Sequence, residues 1–327
     1  MTNSNRDLGF RLKKGIYLVA GATGMIGSHS LRLLANQEGI KVIAIFNKRK
    51  KNVFADNITY VNADLTNEKE CLKIAQKVDF ILMYAGIKSH ASVESMDSVY
   101  PIKKSIEIAN NMFYAAYKNQ VKKLVWISSS TGYPESKKHL QEYEMFEGHP
   151  QEHWYSVGWM TRYLETQCKM YSEKVSDPID VIVLRPPLVY GEFDNFTPNH
   201  GTVIAALIAR VVGRENPVEV WGDGNQLREV IYAQDIAIIA LKAIPLLTGF
   251  HVLNIAEGKP YSINHILSLM LKVDGFENAN IVHKLNKPQL ASQVLLSIKK
   301  AEENDLKPST SLESGLKSTM QWYNENK

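Results

Sequence analysis

Three glycines occur at every third position in the segment GATGMIGSH, which directly follows a short apolar run. Such glycines allow a tight turn, close approach of the backbone to a bound group, and close packing of a helix on a strand. The N-terminus of the following helix carries a partial positive charge that stabilises an anion. This arrangement predicts a site for the pyrophosphate of a dinucleotide. The residues expected to line it are Gly21, Thr23, Gly24, Met25, Ile26 and Gly27.

The second apolar run ends in IAIFNKRK, where a carboxylate would accept hydrogen bonds from the adenosine ribose of NAD. No carboxylate occurs in this run. Asn47 and Arg49 are instead suited to a 2′-phosphate, which favours NADP, although a solvated loop accounts for them equally well. Asp64, which precedes Leu65, could meet the adenine amino group or simply cap a helix. The cofactor prediction is therefore NAD(P), without a choice between the two forms.

Apolar runs rich in β-branched residues recur through the first two thirds of the chain, and they predict strands buried on both faces. These runs are residues 16–20, 41–46, 78–85, 123–129 and 180–186. Segments of helical length and periodicity lie between them. Strands that alternate with helices through right-handed crossovers predict an α/β fold, a doubly wound parallel (Rossmann) sheet.

The pattern changes after Arg185. Residues 186–201 are loop-like, a helix is expected from about residue 202 to 212, and residues 218–232 are typical of two short strands joined by a glycine-rich turn. Ser311 lies where the last helix should begin. We therefore expect a dinucleotide-binding domain and a smaller C-terminal α/β lobe. The domain spans residues 1–190, its sheet is partly completed by residues 230–256, and the lobe spans residues 191–327.

Composition argues against several classes of protein. The 327 residues include 38 Lys and Arg against 34 Asp and Glu, a formal net charge of +4. This mild balance gives no reason to expect a nucleic-acid partner or a membrane surface. No apolar run reaches membrane-spanning length, and the polar N-terminus lacks the apolar core of a signal peptide. Cys71 and Cys168 are the only cysteines and fit free thiols in a reducing compartment. We expect a cytoplasmic protein with no metal site.

Further motifs follow in one order along nearly the whole chain. They are YAG (84–86), WISSS (126–130), LRPPLVYG (184–191), WGDGNQLREVIYAQD (221–235), LNIAEGKPYSI (253–263) and SLESGLKSTMQWYNEN (311–326). Together with the G-x-x-G-x-x-G spacing of the glycine turn, they resemble the extended short-chain dehydrogenase/reductase family of nucleotide-sugar epimerases, dehydratases and reductases. The run DNFTPNHGTVIAALI (194–208) is similar to the GDP-L-fucose synthase branch of that family.

The resemblance implies hydride exchange between the nicotinamide of NAD(P) and a sugar carbon, in activated-sugar or surface-polysaccharide biosynthesis. It implies a homodimer formed through helices over residues 104–120 and 160–175. At the edge of the cofactor it places Tyr84, Ala85, Gly86 and Lys88.

The same resemblance implies that the C-terminal lobe binds the nucleotide sugar, and it assigns residues to this substrate. Arg228 would hold the diphosphate through its guanidinium fork, with a surface ion pair to Glu229 as the alternative. Val220 and Trp221 would lie beside the nucleotide base, although Trp221 also suits simple core packing. Asn199, or His200 in an adjacent register, would reach the sugar-phosphate side.

The family uses a Tyr and, four residues later, a Lys on one helix face, because a nearby ammonium lowers the pKa of the phenol. In YSVGWMTRYLE the family's Gly-Trp pair and Glu fall on 158, 159 and 165, which places Val157 and Thr161 at the Tyr and Lys positions. The resemblance also implies a hydroxyl after the fifth strand. It falls on Ser129, with Ser128 and Ser130 as competitors.

Tyr155 is the most attractive replacement for the missing phenol, with His153, Lys88 or water as alternatives. On a continuous helix it would point roughly 200° away from Val157. It can serve only if the helix begins after it.

Three other polar positions of the family motifs also differ, since Ser105, Leu188 and Thr202 stand where Asn, Asn and His are usual.

Three functions stay open. The first is an NAD(P)-dependent oxidoreductase that acts on a GDP- or UDP-linked sugar at C4, with a non-standard proton donor. The second is a nucleotide-sugar epimerase or 4,6-dehydratase, although we find no convincing acid and base pair beside SSSTG. The third is a non-catalytic binding subunit, against which the glycine turn and Arg228 argue.

Overall fold

The structure is a computed structural model that describes residues 9–87, 99–197, 201–287 and 294–327. Its strands are β1 (Gly15–Ala20), β2 (Ile40–Phe46), β3 (Ile58–Asn62), β4 (Phe80–Met83), β5 (Lys123–Ile127), β6 (His139–Leu140), β7 (Asp180–Arg185), β8 (Leu188–Tyr190), β9 (Val218–Trp221), β10 (Leu227–Tyr232), β11 (Phe250–Asn254), β12 (Pro260–Ser262), β13 (Ile281–Lys284) and β14 (Leu295–Leu296). Its α-helices are α1 (Met25–Leu34), α2 (Glu68–Ile74), α3 (Val99–Lys118), α4 (Tyr155–Glu173), α5 (Val203–Val212), α6 (Ala233–Leu246), α7 (Ile263–Asp274), α8 (Lys299–Glu303) and α9 (Leu312–Asn326).

The largest sheet in the described part of the chain has seven strands in the order β11-β7-β5-β4-β1-β2-β3. Every neighbouring pair in this sheet is parallel. The chain leaves β1 first towards one edge and later towards the other, so the carboxyl ends of β1 and β4 lie at a topological switch point. The α/β fold with a doubly wound Rossmann sheet that the sequence predicted is therefore confirmed.

Helices cover both faces of this sheet. Along β1, Tyr17 and Val19 face the layer that contains α1 and α6, whereas Leu18 and Ala20 face the layer of α2, α3 and α4. Successive side chains of a strand point to opposite faces, so a strand covered on both sides must be apolar throughout. This requirement explains why the strand runs were recognisable in the sequence.

The C-terminal part of the chain adds smaller sheets and a separate apolar cluster. β10 lies between β8 and β12, while β9 pairs with β13. The two strands predicted over residues 218–232 are thus both present, but they belong to different sheets. A third apolar cluster joins α5, α7 and α9 to these strands through Tyr190, Leu207, Val220, Leu267, Met270 and Leu316, among others. The proposed boundary near residue 190 stays a prediction.

Side-chain caps mark the start of several helices. The side chains of Asn67, Thr202, Ser262 and Ser311 each accept a hydrogen bond from a backbone N–H in the first turn of the following helix. Such caps satisfy backbone donors that have no partner within the helix. The expected starts near residue 202 and at Ser311 are therefore confirmed.

Among the helices of the described ranges, none combines the length and the apolar character that crossing a membrane requires.

Candidate active site

The glycine turn lies between β1 and α1, at the carboxyl end of the central strand. Gly21 has φ +79°, a left-handed conformation that favours glycine. A Cβ there would lie 2.9 Å from the amide nitrogen of Ala85, and a Cβ at Gly27 would overlap the carbonyl oxygen of Gly21. Gly24 is the N-cap of α1 and offers no side-chain cap, so the first backbone N–H groups of the helix suit an anion. These residues fit a dinucleotide pyrophosphate.

The other residues of the turn have packing roles. Thr23 and Met25 are buried, and Ile26 packs against the apolar cluster between α1 and α6. These buried side chains anchor the glycine turn in the core, and the backbone of the turn is left to contact a ligand.

The segment after β4 packs against the glycine turn. The Tyr84 N–H donates to the carbonyl of Ala20 at 3.0 Å, and the Tyr84 hydroxyl accepts from Ser30 Oγ at 3.1 Å. Burial raises the pKa of Tyr84 above its ordinary value. Beyond Gly86, the Ser105 hydroxyl accepts from the N–H of Ile87 at 3.1 Å and donates to its carbonyl at 3.2 Å. Ser105 thus fixes this backbone, although it replaces the usual Asn.

Lys88, the next residue of the predicted cofactor edge, lies outside the described residues.

The predicted adenosine end is more open. Asn47 and Arg49 are exposed in the segment after β2. The Asp64 carboxylate accepts hydrogen bonds from the Thr66 N–H at 2.9 Å and the Thr66 hydroxyl at 2.8 Å, and these bonds lower the pKa of Asp64. Leu65 is buried. Asp64 therefore shapes a local turn, while its contact with adenine stays a prediction.

Three hydroxyl groups form a chain between the end of β5 and α4. Ser129 Oγ accepts from the N–H of Thr131 at 3.2 Å and from Thr131 Oγ1 at 3.1 Å. Thr131 Oγ1 in turn lies 3.5 Å from Thr161 Oγ1, and Thr161 donates to the carbonyl of Val157 at 2.8 Å. We call Ser129, Thr131 and Thr161 the hydroxyl chain. With Thr131 donating to Ser129 and Thr161 donating to Val157, the 3.5 Å contact between Thr131 and Thr161 is a close approach of two oxygens, and Ser129 acts as an acceptor among these residues.

The two rival hydroxyls have other surroundings. Ser128 is buried and donates to Glu165 Oε1 at 2.5 Å. Ser130 opens a short 3-10 turn (Ser130–Gly132), and its N–H donates to the carbonyl of Pro186 at 3.2 Å. Ser129 is thus the serine that belongs to the hydroxyl chain.

The residues that set the register of α4 have structural roles. A Cβ at Gly158 would lie 2.7 Å from the Thr131 carbonyl oxygen, so glycine permits α4 to approach the turn after β5. Glu165 is buried and forms two hydrogen bonds with Arg185, at 2.9 Å from Nε and 2.5 Å from Nη2. These contacts fix α4 on either side of Thr161.

A buried polar network continues from this ion pair. Arg185 Nη1 donates to the Tyr133 hydroxyl at 2.7 Å, which donates to Asn254 Oδ1 at 2.7 Å. Burial alone would lower the pKa of Arg185, but the Glu165 carboxylate holds it above its ordinary value. The network ties the ends of β7 and β11 to the segment that carries Ser129.

The structure contradicts the condition under which Tyr155 could replace the missing phenol. Helix α4 begins at Tyr155 itself, so Tyr155 and Val157 lie on one continuous helix and point roughly 200° apart. The Tyr155 side chain is 53% exposed, and its ring centroid lies 6.5 Å from that of Trp159 on the same helix. His153 precedes the helix in a short 3-10 turn (Glu152–Trp154) and packs near Trp154.

Arg228 and Glu229 are neighbours on β10, and adjacent side chains of a strand point to opposite faces. Arg228 Nη1 donates to the carbonyl of Leu227 at 2.7 Å, and burial lowers the pKa of Arg228. The Glu229 carboxylate is buried and accepts from the N–H of Leu296 at 3.0 Å. This geometry does not favour the surface ion pair between them.

The residues predicted beside the nucleotide base are at the end of β9. Val220 is 1% exposed and packs in the third apolar cluster, so its side chain is not available to a base. Trp221 is half-buried, donates from Nε1 to Glu219 Oε1 at 3.0 Å, and has the Lys287 ammonium 5.3 Å from its ring centroid. Asn199 and His200 lie outside the described residues.

Sequence reasoning did not identify Thr131 as a site residue. Its signal was present, since Thr131 directly follows the three serines of SSSTG. Its contact with Thr161, thirty residues later, depends on how α4 packs and could not be read from spacing.

A comparison with known families agrees with this geometry. The model of the NAD dependent epimerase/dehydratase family matches residues 17–256, from β1 to just beyond β11. The chain belongs to this family. The resemblance inferred from the motifs is confirmed, and so is NAD(P) as the cofactor, because the family is NAD dependent and the glycine turn fits the group.

Relatives within the NAD dependent epimerase/dehydratase family are similar over nearly their whole length. A putative GDP-L-fucose synthase 2 of Arabidopsis thaliana is 28% identical, covering 97% of this chain and 94% of the relative. The GDP-L-fucose synthase of Escherichia coli K12 is 25% identical, covering 96% and 98%. A UDP-N-acetylglucosamine 4-epimerase from Methanobrevibacter ruminantium M1 superimposes with a TM-score of 0.83 at 24% identity, covering 97% and 100%. That structure supports the shared fold.

Proposed function

We propose that this protein is an NAD(P)-dependent oxidoreductase that acts on a nucleotide-diphosphate sugar, with hydride transfer at sugar C4. Its similarity to GDP-L-fucose synthases along nearly the whole chain supports the substrate class. One observation carries the proposal. The glycine turn and the hydroxyl chain follow β1 and β5 at the carboxyl edge of one sheet, where α/β folds bind their ligands.

NAD(P), when bound, supplies the exchange of a hydride with a carbon of the sugar. The protein's own contribution begins with Ser129, whose hydroxyl can donate a hydrogen bond to the reacting sugar oxygen, while water supplies or takes up the proton that balances hydride transfer. Thr131 holds the Ser129 oxygen through two hydrogen bonds and so fixes its orientation. Val157 puts an apolar side chain where the family has a phenol, and Thr161 supports it from one turn later.

This arrangement is compatible with slow turnover. Correct placement of two reacting groups can contribute roughly 7–11 kcal/mol to lowering a barrier. A positioned acid or base adds about 10²- to 10⁴-fold in rate. The absence of the Tyr and Lys pair therefore weakens the smaller of the two contributions, to which Ser129 still adds a positioned hydrogen-bond donor, and leaves the larger one.

At the other end of the substrate, Arg228 is proposed to bind the diphosphate. Its guanidinium carries donors that match two phosphate oxygens at once. The lowered pKa of Arg228 comes from burial, and a phosphate anion would offset that desolvation. Trp221 supplies an aromatic surface near the nucleotide base, and Val220 supports it from the core.

A non-catalytic binding subunit is the second candidate, and Val157 with Thr161 favours it. It would retain the glycine turn and Arg228 and would bind both ligands without converting them.

Mixing the purified protein with NAD(P)H or NAD(P) and a panel of GDP-, UDP- and dTDP-linked sugars distinguishes the two candidates. We expect a slow change in nicotinamide absorbance with at least one sugar, and we expect Ser129→Ala to reduce it. Ser136→Ala removes a serine hydroxyl that bonds the nearby Lys138 backbone in a neighbouring loop, and it serves as the matched control. Tight binding of sugar and cofactor without any spectral change across the panel would support the binding subunit instead.

We also propose a homodimer formed through α3 and α4. The two helices are neighbours, since Asn110 Nδ2 donates to the Tyr163 hydroxyl at 3.2 Å. Together they expose large apolar side chains, and such a patch is typical of a protein interface. These are Val99 (71% exposed), Tyr155 (53%), Tyr163 (43%) and Trp159 (39%). Sedimentation should give twice the 36.9 kDa mass of one chain, and Trp159→Glu should lower it.

A cytoplasmic location is proposed as well. Cys71 and Cys168 are both buried free thiols on different helices, which suits a reducing compartment. Cell fractionation with an antibody to the protein tests this, and recovery with secreted proteins would contradict it.

A further inference from the structure

Helix α1 carries a buried histidine that reaches the C-terminal part of the chain. His29 is 1% exposed, and its Nε2 lies 3.2 Å from Glu192 Oε2. The same carboxylate oxygen accepts a hydrogen bond from the Tyr232 hydroxyl at 2.6 Å. Glu192 follows β8 and Tyr232 ends β10, so this cluster joins α1 to the smaller sheet.

The charge of Glu192 depends on these partners. Burial alone would raise the pKa of Glu192, but the nearby His29 ring and the hydrogen bond from the Tyr232 hydroxyl lower it to about 2. A buried carboxylate is costly unless its oxygens are paired. The loss of either partner should therefore loosen the backbone that carries Glu192.

Aromatic contacts extend this cluster to the next residue. Phe193 has φ +65°, an unfavourable backbone conformation for a residue with a side chain. Its ring packs edge-on against His29 with centroids 5.8 Å apart and lies 4.8 Å from the ring of Trp322 on α9. The Arg32 guanidinium lies 4.5 Å from the Phe193 ring centroid. Residues of α1 thus hold an otherwise unfavourable turn.

The turn at Phe193 lies within residues 191–197, which we call the 191–197 segment. Asp194 accepts a hydrogen bond from the Thr202 hydroxyl at 3.3 Å, and Thr202 caps α5. The sequence leads from this segment directly to Asn199, where the family resemblance puts a substrate contact. Helix α1 itself begins at the glycine turn, with Gly24 as its N-cap. The same helix contacts the 191–197 segment through His29 and Arg32.

We propose that His29 and Glu192 are positioning residues that couple dinucleotide binding to the order of the 191–197 segment. The inference rests on the proposed function, because it requires a dinucleotide at the start of α1. An anion that binds there restrains α1, and the contacts of His29 with Glu192 and Phe193 transmit this restraint. Since coupling between two sites is reciprocal, a ligand on the segment should also tighten the dinucleotide.

Hydrogen exchange measured by mass spectrometry tests the coupling without any need for turnover. Peptides that cover the glycine turn and the 191–197 segment are compared with and without NADPH or NADH. We expect the cofactor to slow exchange in both regions of the unaltered protein, by about fivefold in the segment, the lower end of a typical coupling. In Glu192→Gln and in His29→Phe, which keeps an aromatic ring, only the glycine turn should respond.

Glu313→Gln is the matched control, because Glu313 forms an exposed ion pair with Lys272 away from this cluster. It should behave like the unaltered protein. Protection of the glycine turn with no effect on the segment in the unaltered protein would overturn the inference and leave the cofactor site intact. An unchanged response of the segment in both cluster variants would also overturn it. If neither cofactor protects the glycine turn, the proposed function fails first and the inference falls with it.

Discussion

The glycine turn and the start of α4 face the same proposed reaction, yet they differ in how far they keep the family pattern. At the glycine turn all three glycines are present, and two of them leave no room for a Cβ. At the start of α4, the family resemblance places Val157 and Thr161 at the positions of the acid and its cation, while Gly158, Trp159 and Glu165 match the family pattern. We therefore propose that the binding part of the site is retained and that the proton-transfer part is altered.

The two regions differ because the glycine turn depends on backbone geometry, whereas proton transfer depends on side chains. The glycine turn is a backbone structure in which a single Cβ would displace Ala85 or Gly21. The Tyr and Lys of the family act through their side chains, whereas Gly158 and Glu165 hold α4 in place. Thr161 satisfies its hydroxyl by bonding the carbonyl of Val157 on its own helix. The residues that hold α4 in place are therefore separate from the positions that the resemblance assigns to proton transfer.

The largest expected effect concerns the residue that anchors α4. Glu165→Ala leaves the buried Arg185 without its carboxylate, and breaking such a pair costs about 3–5 kcal/mol. Chemical denaturation should show a loss of this size. Glu313→Ala, which breaks an exposed pair, should cost less than about 1 kcal/mol. Equal losses in the two variants would mean that Glu165 does not anchor the helix.

The next effect concerns the chemistry. Ser129→Ala should lower the rate of nicotinamide absorbance change by about 10²-fold, since it removes the positioned donor. Tyr155→Phe should change the rate by less than about twofold, because Tyr155 points away from the Val157 side of α4. A large loss in Tyr155→Phe with a normal rate in Ser129→Ala would reverse the assignment of the donor.

A smaller effect tests the retained region. Gly21→Ala forces a side chain into a left-handed turn against Ala85 and should weaken NAD(P)H binding by about 10- to 100-fold. Gly275→Ala is the matched control, because Gly275 has φ +64° but open space around a Cβ. Nicotinamide fluorescence titration measures both. Equal affinities in the two variants would show that the turn does not bind the cofactor.

The smallest effect concerns Glu229, behind the proposed diphosphate site. Burial raises the pKa of Glu229 to about 7, against about 4.3 in an unfolded chain. Between these values the folded state binds more protons than the unfolded state, so stability falls as pH rises. Glu229→Gln removes this loss, so its free energy of unfolding relative to that of the unaltered protein should rise between pH 4 and pH 8. Thermal unfolding across pH measures it, and a constant difference would contradict the raised pKa.

Much of the fold was predictable because its signals are local. Strands covered on both faces must be continuously apolar. Thr202 and Ser311 are residue types that cap helices, so they indicate where α5 and α9 begin. The start of α4 carries no such signal, since its N-cap residue is Trp154, which makes no side-chain cap. That is why the sequence left open whether Tyr155 preceded the helix.

The site was predictable where backbone geometry demands particular residues and unpredictable where side chains meet across the fold. The glycine turn could be located from spacing alone. The contact of Thr131 with Thr161 and the cluster around His29 join segments that are distant in sequence, and neither has a fixed spacing. Val220 was assigned to the base from its position, but its burial depends on packing among α5, α7 and α9.

The most direct test of the central claim is the pH dependence of hydride transfer. The rate of nicotinamide absorbance change is measured in a single turnover, from pH 6 to 9, with the sugar that the panel identifies. Hydroxyl groups of serine and threonine do not ionise in this range, so the rate should vary by less than about threefold. Val157→Tyr with Thr161→Lys should introduce a titration. A rate in the unaltered protein that rises about tenfold per pH unit would contradict the account, because it would reveal an ionising acid or base.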